Sequence, residues 1–423
     1  MNSQQERSSL IEKIQEIRNS TVVCLVTSDR PGLSTQLDGQ FVRHVYDLAS
    51  EAHSIDKTKG LDLFIYSRGG DSNVPWALMS MLREVAPNVN IDVLIPYRAH
   101  SAATIAALGA DHIVLGPKAE LGPIDTTMIS PYNPPNPTTG QPLPISVEDV
   151  MGYFSLLERI GCTGSDSKIQ GLREFTQKVH PYALGMVQRL EDQTKLVASQ
   201  LLSSRRDPFP EPENKAIVDA VAKRINSHEH AISRTEAVKH IGLRNVVRAE
   251  DVHVAELLWK LYEQYEGVFS LSQHFNPEEE FFRDQALEEK DYPDLPVACV
   301  ETSIRSRVWL HSIHMKRRRQ PIQNFTVSPQ IQLPAINIAP GVDPGQVHAM
   351  VQHWLQNVLP ATLQSVVHDA VEKVARSAPT LGFERREDRS RWIDTPAAKL
   401  DQAGQDAQKS PQPSKKASRA KTK

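Results

Sequence analysis

The first 125 residues alternate short β-branched apolar runs with amphipathic stretches, and this alternation constrains the fold more than any other feature of the chain. Apolar runs at 21–28, 61–67, 91–97 and 112–116 are separated by helical patterns at 41–52, 76–85 and 101–110. Strand and helix in turn at this spacing predict βαβ units and a largely parallel sheet. Ligand and catalytic groups in such sheets lie beyond the carboxyl ends of the strands. Two of those ends read SRGGD at 67–71 and YRAHS at 97–101.

The chain has 423 residues, enough for two or three folded units. Hydrophobic residues at 39% and charged residues at 23% match ordinary globular usage, which disfavours wholesale disorder and a multi-span membrane protein. A net charge of −3 gives no global basic excess, so nucleic acid is not an expected partner. The three cysteines, Cys24, Cys162 and Cys299, are far apart and form no CxxC pair. A disulfide framework and a cysteine-rich zinc site are therefore disfavoured, and a reducing cytoplasm is expected. The N-terminal stretch is charged throughout, unlike a secretory signal, and no apolar run is long enough to span a membrane.

Residues 130–146 are rich in proline and read as an exposed loop or lid. Helical patterns follow at 181–204, 214–225, 233–240 and 254–267; alternation over 297–315 predicts an antiparallel hairpin, and 343–376 is amphipathic. From Lys399 onward six lysines and one arginine face two aspartates, and this tail is expected to be disordered. The expected organisation is an N-terminal extension (1–14), an α/β domain (15–250), an α+β accessory region (251–394) and a disordered basic tail (395–423).

The two strand ends supply complementary chemistry. Adjacent Gly69 and Gly70 let the backbone turn sharply and expose N–H donors toward a developing oxyanion. Ser101 opens a helix of small residues, where free N–H groups favour negative charge. Together they suggest a Ser101 nucleophile, with the amides of Gly70 and Ala102 as oxyanion donors. Taken singly, paired glycines make an ordinary tight turn and serine an ordinary helix cap.

The segments LFIYSRGGDSNVPWALMSMLRE (63–84), PYRAHSAATIAALGADHIVLGPKAELGPID (96–125), PYALGMVQRLEDQTKLVASQLL (181–202) and SHEHAISRTEAVKHIGL (227–243) resemble the serine dehydrogenase proteinase family. That family lies within the Clp protease and crotonase-like fold that also includes signal peptide peptidase A. The resemblance covers about residues 15–250 and places Ser101 at the nucleophile position, with Gly69 and Gly70 on the paired glycines used for oxyanion stabilisation. The chain departs from the pattern at Arg68, where relatives often have Pro, and at Ala103, where they often have Gly. Clp-type peptidases supply a His base further along, where Thr126 stands here. The signal-peptidase-like branch uses a Lys after the loop, where Ser146 and Glu148 stand.

A Ser–Lys dyad needs a lysine desolvated enough to be neutral near pH 7. Lys168 and His180 are the candidate bases; Lys178 and Lys118 read as surface charges. Arg68 suits a substrate carboxylate, and Asp125 suits the turn after LGPI. His228 and His230 lack metal-binding helical spacing, and no nucleotide-binding glycine motif occurs, so no metal or cofactor is expected. The basic run 316–319 reads as a solvated patch. The resemblance implies a serine peptidase acting on peptides or unfolded protein and a homo-oligomer; the C-terminal region, outside the resemblance and without a recognisable motif, is the expected site of a further protein partner. The alternatives are a non-catalytic scaffold retaining the fold, and an oxyanion hole serving an acyl thioester.

Overall fold

The computed structural model describes residues 3–124, 127–137, 139–223, 230–321, 341 and 343–396. The chain divides into two units, the first comprising 1–275, 294–311 and 390–423 and the second 276–293 and 312–389.

The first unit is α/β, built on the βαβ repeats expected. Its parallel strands lie in the order Val246–Arg248, Ile113–Leu115, Ile91–Ile95, Gly60–Tyr66 and Ser20–Thr27. Beyond Ser20–Thr27 the sheet turns antiparallel, with Cys24 opposite Glu301 and Thr27 opposite Ala298. The strands Glu289–Glu301, Arg305–Arg319 and Thr380–Pro396 follow in that order and run on into the second unit. The first two of these form the expected hairpin, joined at a turn where Thr302 N–H donates to Arg305 O at 2.8 Å.

The apolar runs are continuous because both faces of the sheet are covered. Val23, Leu25, Leu61, Leu63 and Ile65 pack on one side with the helices Gly39–His53, Val74–Val85, Ala102–Leu108 and Pro181–Ser203. Val22, Cys24, Val26, Phe64 and Tyr66 face the other side, toward Ser3–Arg18 and Ala255–Phe269. Helix starts follow local chemistry. Asp38 caps Gly39–His53 by accepting from Gln40 N–H at 2.9 Å, and Pro75 occupies the first turn of Val74–Val85, where its missing N–H costs nothing.

Three expectations shift. The described part of the expected N-terminal extension belongs to the core: Ile11 and Ile14 are fully buried, and Arg7 forms a buried ion pair with Glu301 at 2.7 Å. The boundary expected at 250 coincides with no passage between the units, because Leu258, Leu261 and Tyr265 of Ala255–Phe269 pack on the sheet. The helix expected at 233–240 is the short Arg234–Glu236 followed by a π-helical turn, Ala237–Ile241. The expected disordered tail lies outside the described residues from 397 on.

In the second unit, Pro344–His353 and Leu359–Ser377 are the amphipathic helices, joined by a π-helical turn. The basic run is not simply solvated. Arg317 is buried against the rings of Phe281 and Phe383 and donates to Phe281 O at 2.5 Å and Asp284 O at 3.0 Å, while Arg319 pairs with Glu288. Among the described residues of the chain, no helix is long and apolar enough to cross a membrane.

Candidate active site

Three chain segments of the first unit meet at the strand ends. The strand Gly60–Tyr66 leads into Ser67–Gly70; Arg98–Ala99 leads into His100–Ala102; and Glu120–Leu121 pairs in parallel with Arg98–Ala99. Main-chain bonds stitch them together. Ser67 N–H donates to Arg98 O at 3.1 Å, His100 N–H to Ser67 O at 3.0 Å, and Gly122 N–H to Ala99 O at 2.9 Å.

Ser101 sits at φ 47°, ψ −115°, in the left-handed half of backbone space that a serine seldom occupies. Its side chain does not cap the helix Ala102–Leu108, so the ordinary cap reading fails. Such strain persists only where the surroundings over-determine it, and here glycines do so. A Cβ on Gly69 (φ 97°) would stand 2.7 Å from the Ser101 Cβ and 2.9 Å from Ala102 N. A Cβ on Gly70 would stand 2.1 Å from Leu37 O. The close approach of Leu37 is real bonding: Leu37 N–H donates to Gly69 O at 2.8 Å and Asp71 N–H to Leu37 O at 2.9 Å.

The three amides expected to stabilise an oxyanion separate into two kinds. Gly69 N–H is already taken by Ser67 Oγ at 3.0 Å, and Thr27 Oγ donates to that same hydroxyl at 2.8 Å. Among the described residues neither Gly70 N–H nor Ala102 N–H has a hydrogen-bond partner. Ala102 is fully buried, and a buried N–H without a partner is costly. Among the described residues the Gly70 turn and the residue after Ser101 thus each carry an unpartnered donor, while Gly69 serves by leaving room for the Ser101 Cβ.

The far end of the Ser101 helix is also fixed. Arg83 donates to Gly109 O at 3.1 Å, and buried Arg205 donates to Ala110 O at 2.8 Å and Asp111 O at 3.0 Å. Cations suit the last carbonyls of a helix. Asp111 is buried, which works against its ionisation, yet Arg83 and the N–H groups of Arg206 and Ile91 outweigh this and hold its carboxyl below the usual range.

A charged network lies beside the turn, unforeseen from sequence. His100 Nε2 is 3.0 Å from Glu120 Oε1, and Arg98 Nε donates to the same oxygen at 3.2 Å. Arg98 and Arg68 both reach Asp29 Oδ2, at 3.3 and 3.1 Å, and Tyr66 Oη donates to Asp29 Oδ1 at 2.6 Å. Burial lowers the His100 imidazole below its ordinary pKa; Arg68 and Arg98 add to the fall, and Glu120 opposes it. The pattern of Arg98 and His100 two apart on a strand was the available signal, but Glu120 becomes their partner only through strand pairing.

The candidate bases are engaged elsewhere. Lys168, on Ser165–Thr176, is half exposed and pairs with Glu158 at 2.6 Å. Exposed His180 caps Pro181–Ser203, its Nδ1 accepting from Tyr182 N–H at 3.2 Å, with the Tyr132 ring 5.0 Å away. Lys178 is exposed, and Lys118 lies over the Trp259 ring at 3.4 Å. Arg68 is half exposed against Asp29. Asp125, Thr126, His228 and Glu229 lie outside the described residues; His230 bonds Glu236. Among the described residues one group has metal-ligand character, Asp291, His314 and Asp388 of the second unit, where His314 is already bonded to Asp291 at 2.7 Å.

No protein-family model matches the chain. Among curated proteins, it is 24% identical over 263 residues to an uncharacterised protein of Methanocaldococcus jannaschii, an alignment covering 61% of this chain and 78% of that one. Among solved structures it is similar to a membrane-bound stomatin-specific protease in complex with a substrate peptide, at 12% identity and TM-score 0.31, over 54% of this chain and 75% of that chain. It is also similar to ClpP1 from Listeria monocytogenes, at 10% identity and TM-score 0.29, over 57% of this chain and 98% of that chain.

Proposed function

We propose that the chain is a serine peptidase of the Clp-like kind, with Ser101 as its nucleophile. Ser101 Oγ attacks the peptide carbonyl carbon, the hydroxyl proton leaves to a neutral basic group, and the carbonyl oxygen becomes an oxyanion held by Gly70 and Ala102 N–H. Collapse breaks the C–N bond, the departing amine takes up a proton, and water then hydrolyses the ester. The observation that carries this reading is the strained Ser101 backbone, pressed against Gly69 and followed by the fully buried Ala102, whose N–H has no partner among the described residues. Lys168 and His180 are not assigned as the proton acceptor, since Glu158 and Tyr182 engage them.

Peptides or unfolded protein are the proposed substrates and a homo-oligomer the proposed assembly. The three free cysteines suit a reducing cytoplasm. One observation favours a second reading, a scaffold without catalysis: among the described residues no hydrogen bond reaches the Ser101 side chain. Incubation with unfolded casein separates the two readings. The peptidase reading expects new chain ends from the wild type and none from Ser101→Ala; equal, negligible cleavage by both favours the scaffold.

A further inference from the structure

Of the three segments that build the Ser101 turn, two are already joined by main-chain bonds at Ser67 and His100. The third, carrying Glu120 and Gly122, is joined to the residue before Ser101 by a side chain as well. The His100 ring reaches Glu120 Oε1 at 3.0 Å. Its base lies so close to Gly122 that a Cβ there would stand 2.6 Å from His100 Cγ and 2.7 Å from His100 Cβ. The His100 carbonyl accepts from Ala103 N–H at 2.9 Å and occupies space 2.6 Å from where a Gly69 Cβ would stand. Both the main chain and the side chain of His100 are thus fixed immediately before the strained residue. Glu120 is itself oriented by Arg98 at 3.2 Å.

We propose that His100, anchored by Glu120, is the positioning residue of the nucleophile: it holds the Ser101 turn in its strained conformation and keeps Ser101 Oγ set between the Gly70 and Ala102 amides. This rests on the reading of Ser101 as a nucleophile. His100 acts through the backbone it anchors, and Lys or Arg would not substitute, because Arg68 and Arg98 already face it. The neutral imidazole donates Nε2–H to the Glu120 carboxylate. Protonation on acidification puts a second proton on the buried ring and a charge beside those two guanidinium groups, where, among the described residues, the carboxylates bonded into this network are Glu120 and, beyond the arginines, Asp29. Burial lowers the His100 pKa, which places this transition below the ordinary histidine range.

The test is the rate at which a fluorophosphonate probe phosphonylates Ser101, with loss of fluoride, between pH 5 and 8.5, in the full chain, with folding followed by circular dichroism at each pH. His100→Gln keeps an amide donor for Glu120 and has no titration; His100→Ala removes the anchor. The expected result is near wild-type phosphonylation for His100→Gln at pH 8 with a shallower acid limb, the remainder belonging to the group that takes the Ser101 proton, and a roughly tenfold to hundredfold loss for His100→Ala at every pH, the scale of a nucleophile misplaced by about 1 Å. Glu120→Gln should fall between them. Phosphonylation of folded His100→Ala at the wild-type rate and with the wild-type pH profile overturns the positioning role while leaving Ser101 as the nucleophile. Absence of phosphonylation in the wild type overturns the nucleophile itself, and the positioning role with it.

Discussion

The turn at Ser101 and the helical stretch from Val147 to Ser203 both belong to the first unit, yet they are built on opposite terms. At the turn, Ala99, His100 and Ala102 are buried and the backbone is pressed into conformations that two glycines make possible. Along Val147–Arg159 and Ser165–Thr176, Met151, Leu156, Ile169 and Leu172 stand exposed, and Lys168 meets Glu158 at the surface. Nucleophile geometry is a matter of sterics that water cannot relax, whereas a neutral lysine requires desolvation. The region rich in candidate bases is the one least able to tune them.

Substituting Gly70 should give the largest effect and can break this contrast outright. Gly70→Ala places a methyl group 2.1 Å from Leu37 O, so a loss of about 3 kcal/mol or more is expected, read as a lower urea midpoint at unchanged slope. A change within about 0.5 kcal/mol, the range of ordinary surface substitutions, would mean the turn is not sterically locked. Ser101→Gly sharpens the same point in the opposite direction. It relieves the positive φ and should raise stability by about 1 kcal/mol while abolishing any reaction at that position.

Acid titration probes the anchor of the Ser101 helix. The Asp111 carboxyl is held below its unfolded value, so it contributes stability above the ordinary carboxylate range, and that contribution is lost as pH falls through the folded value. Asp111→Asn should therefore lower stability at neutral pH and flatten its decline below about pH 4. A wild-type decline in the variant would assign the acid limb to other carboxylates.

The smallest effects belong to the exposed helices. His180→Ala should cost about 1 kcal/mol or less as a lost cap, and Lys168→Ala less than about 0.5 kcal/mol as a lost surface pair. Both should leave probe phosphonylation of Ser101 unchanged. A tenfold fall in either folded variant would return that residue to the site.

The parallel core was legible because each central strand is buried on both faces: the run at 61–66 alternates between the two cores, Leu63 to one and Phe64 to the other. Gly69 and Gly70 were legible because their residue type answers a local backbone demand; Ser101 was marked by its place at a helix start, and its positive φ was not foreseen. Long-range partnerships were not. Arg7 and Glu301 are 294 positions apart, and nothing local marks the first helix as part of the core. His100 lies 20 positions from Glu120, and only the parallel pairing of Arg98 with Glu120 brings their strands together. The passages of the chain between units at residues 275 and 293 were likewise not read from the sequence.

The most direct test of the central claim is to treat the folded chain with a fluorophosphonate probe and map the adduct by mass spectrometry. The account predicts a single phosphonylated serine at Ser101, absent from Ser101→Ala. An adduct at another serine, or none in the folded wild type, would contradict it.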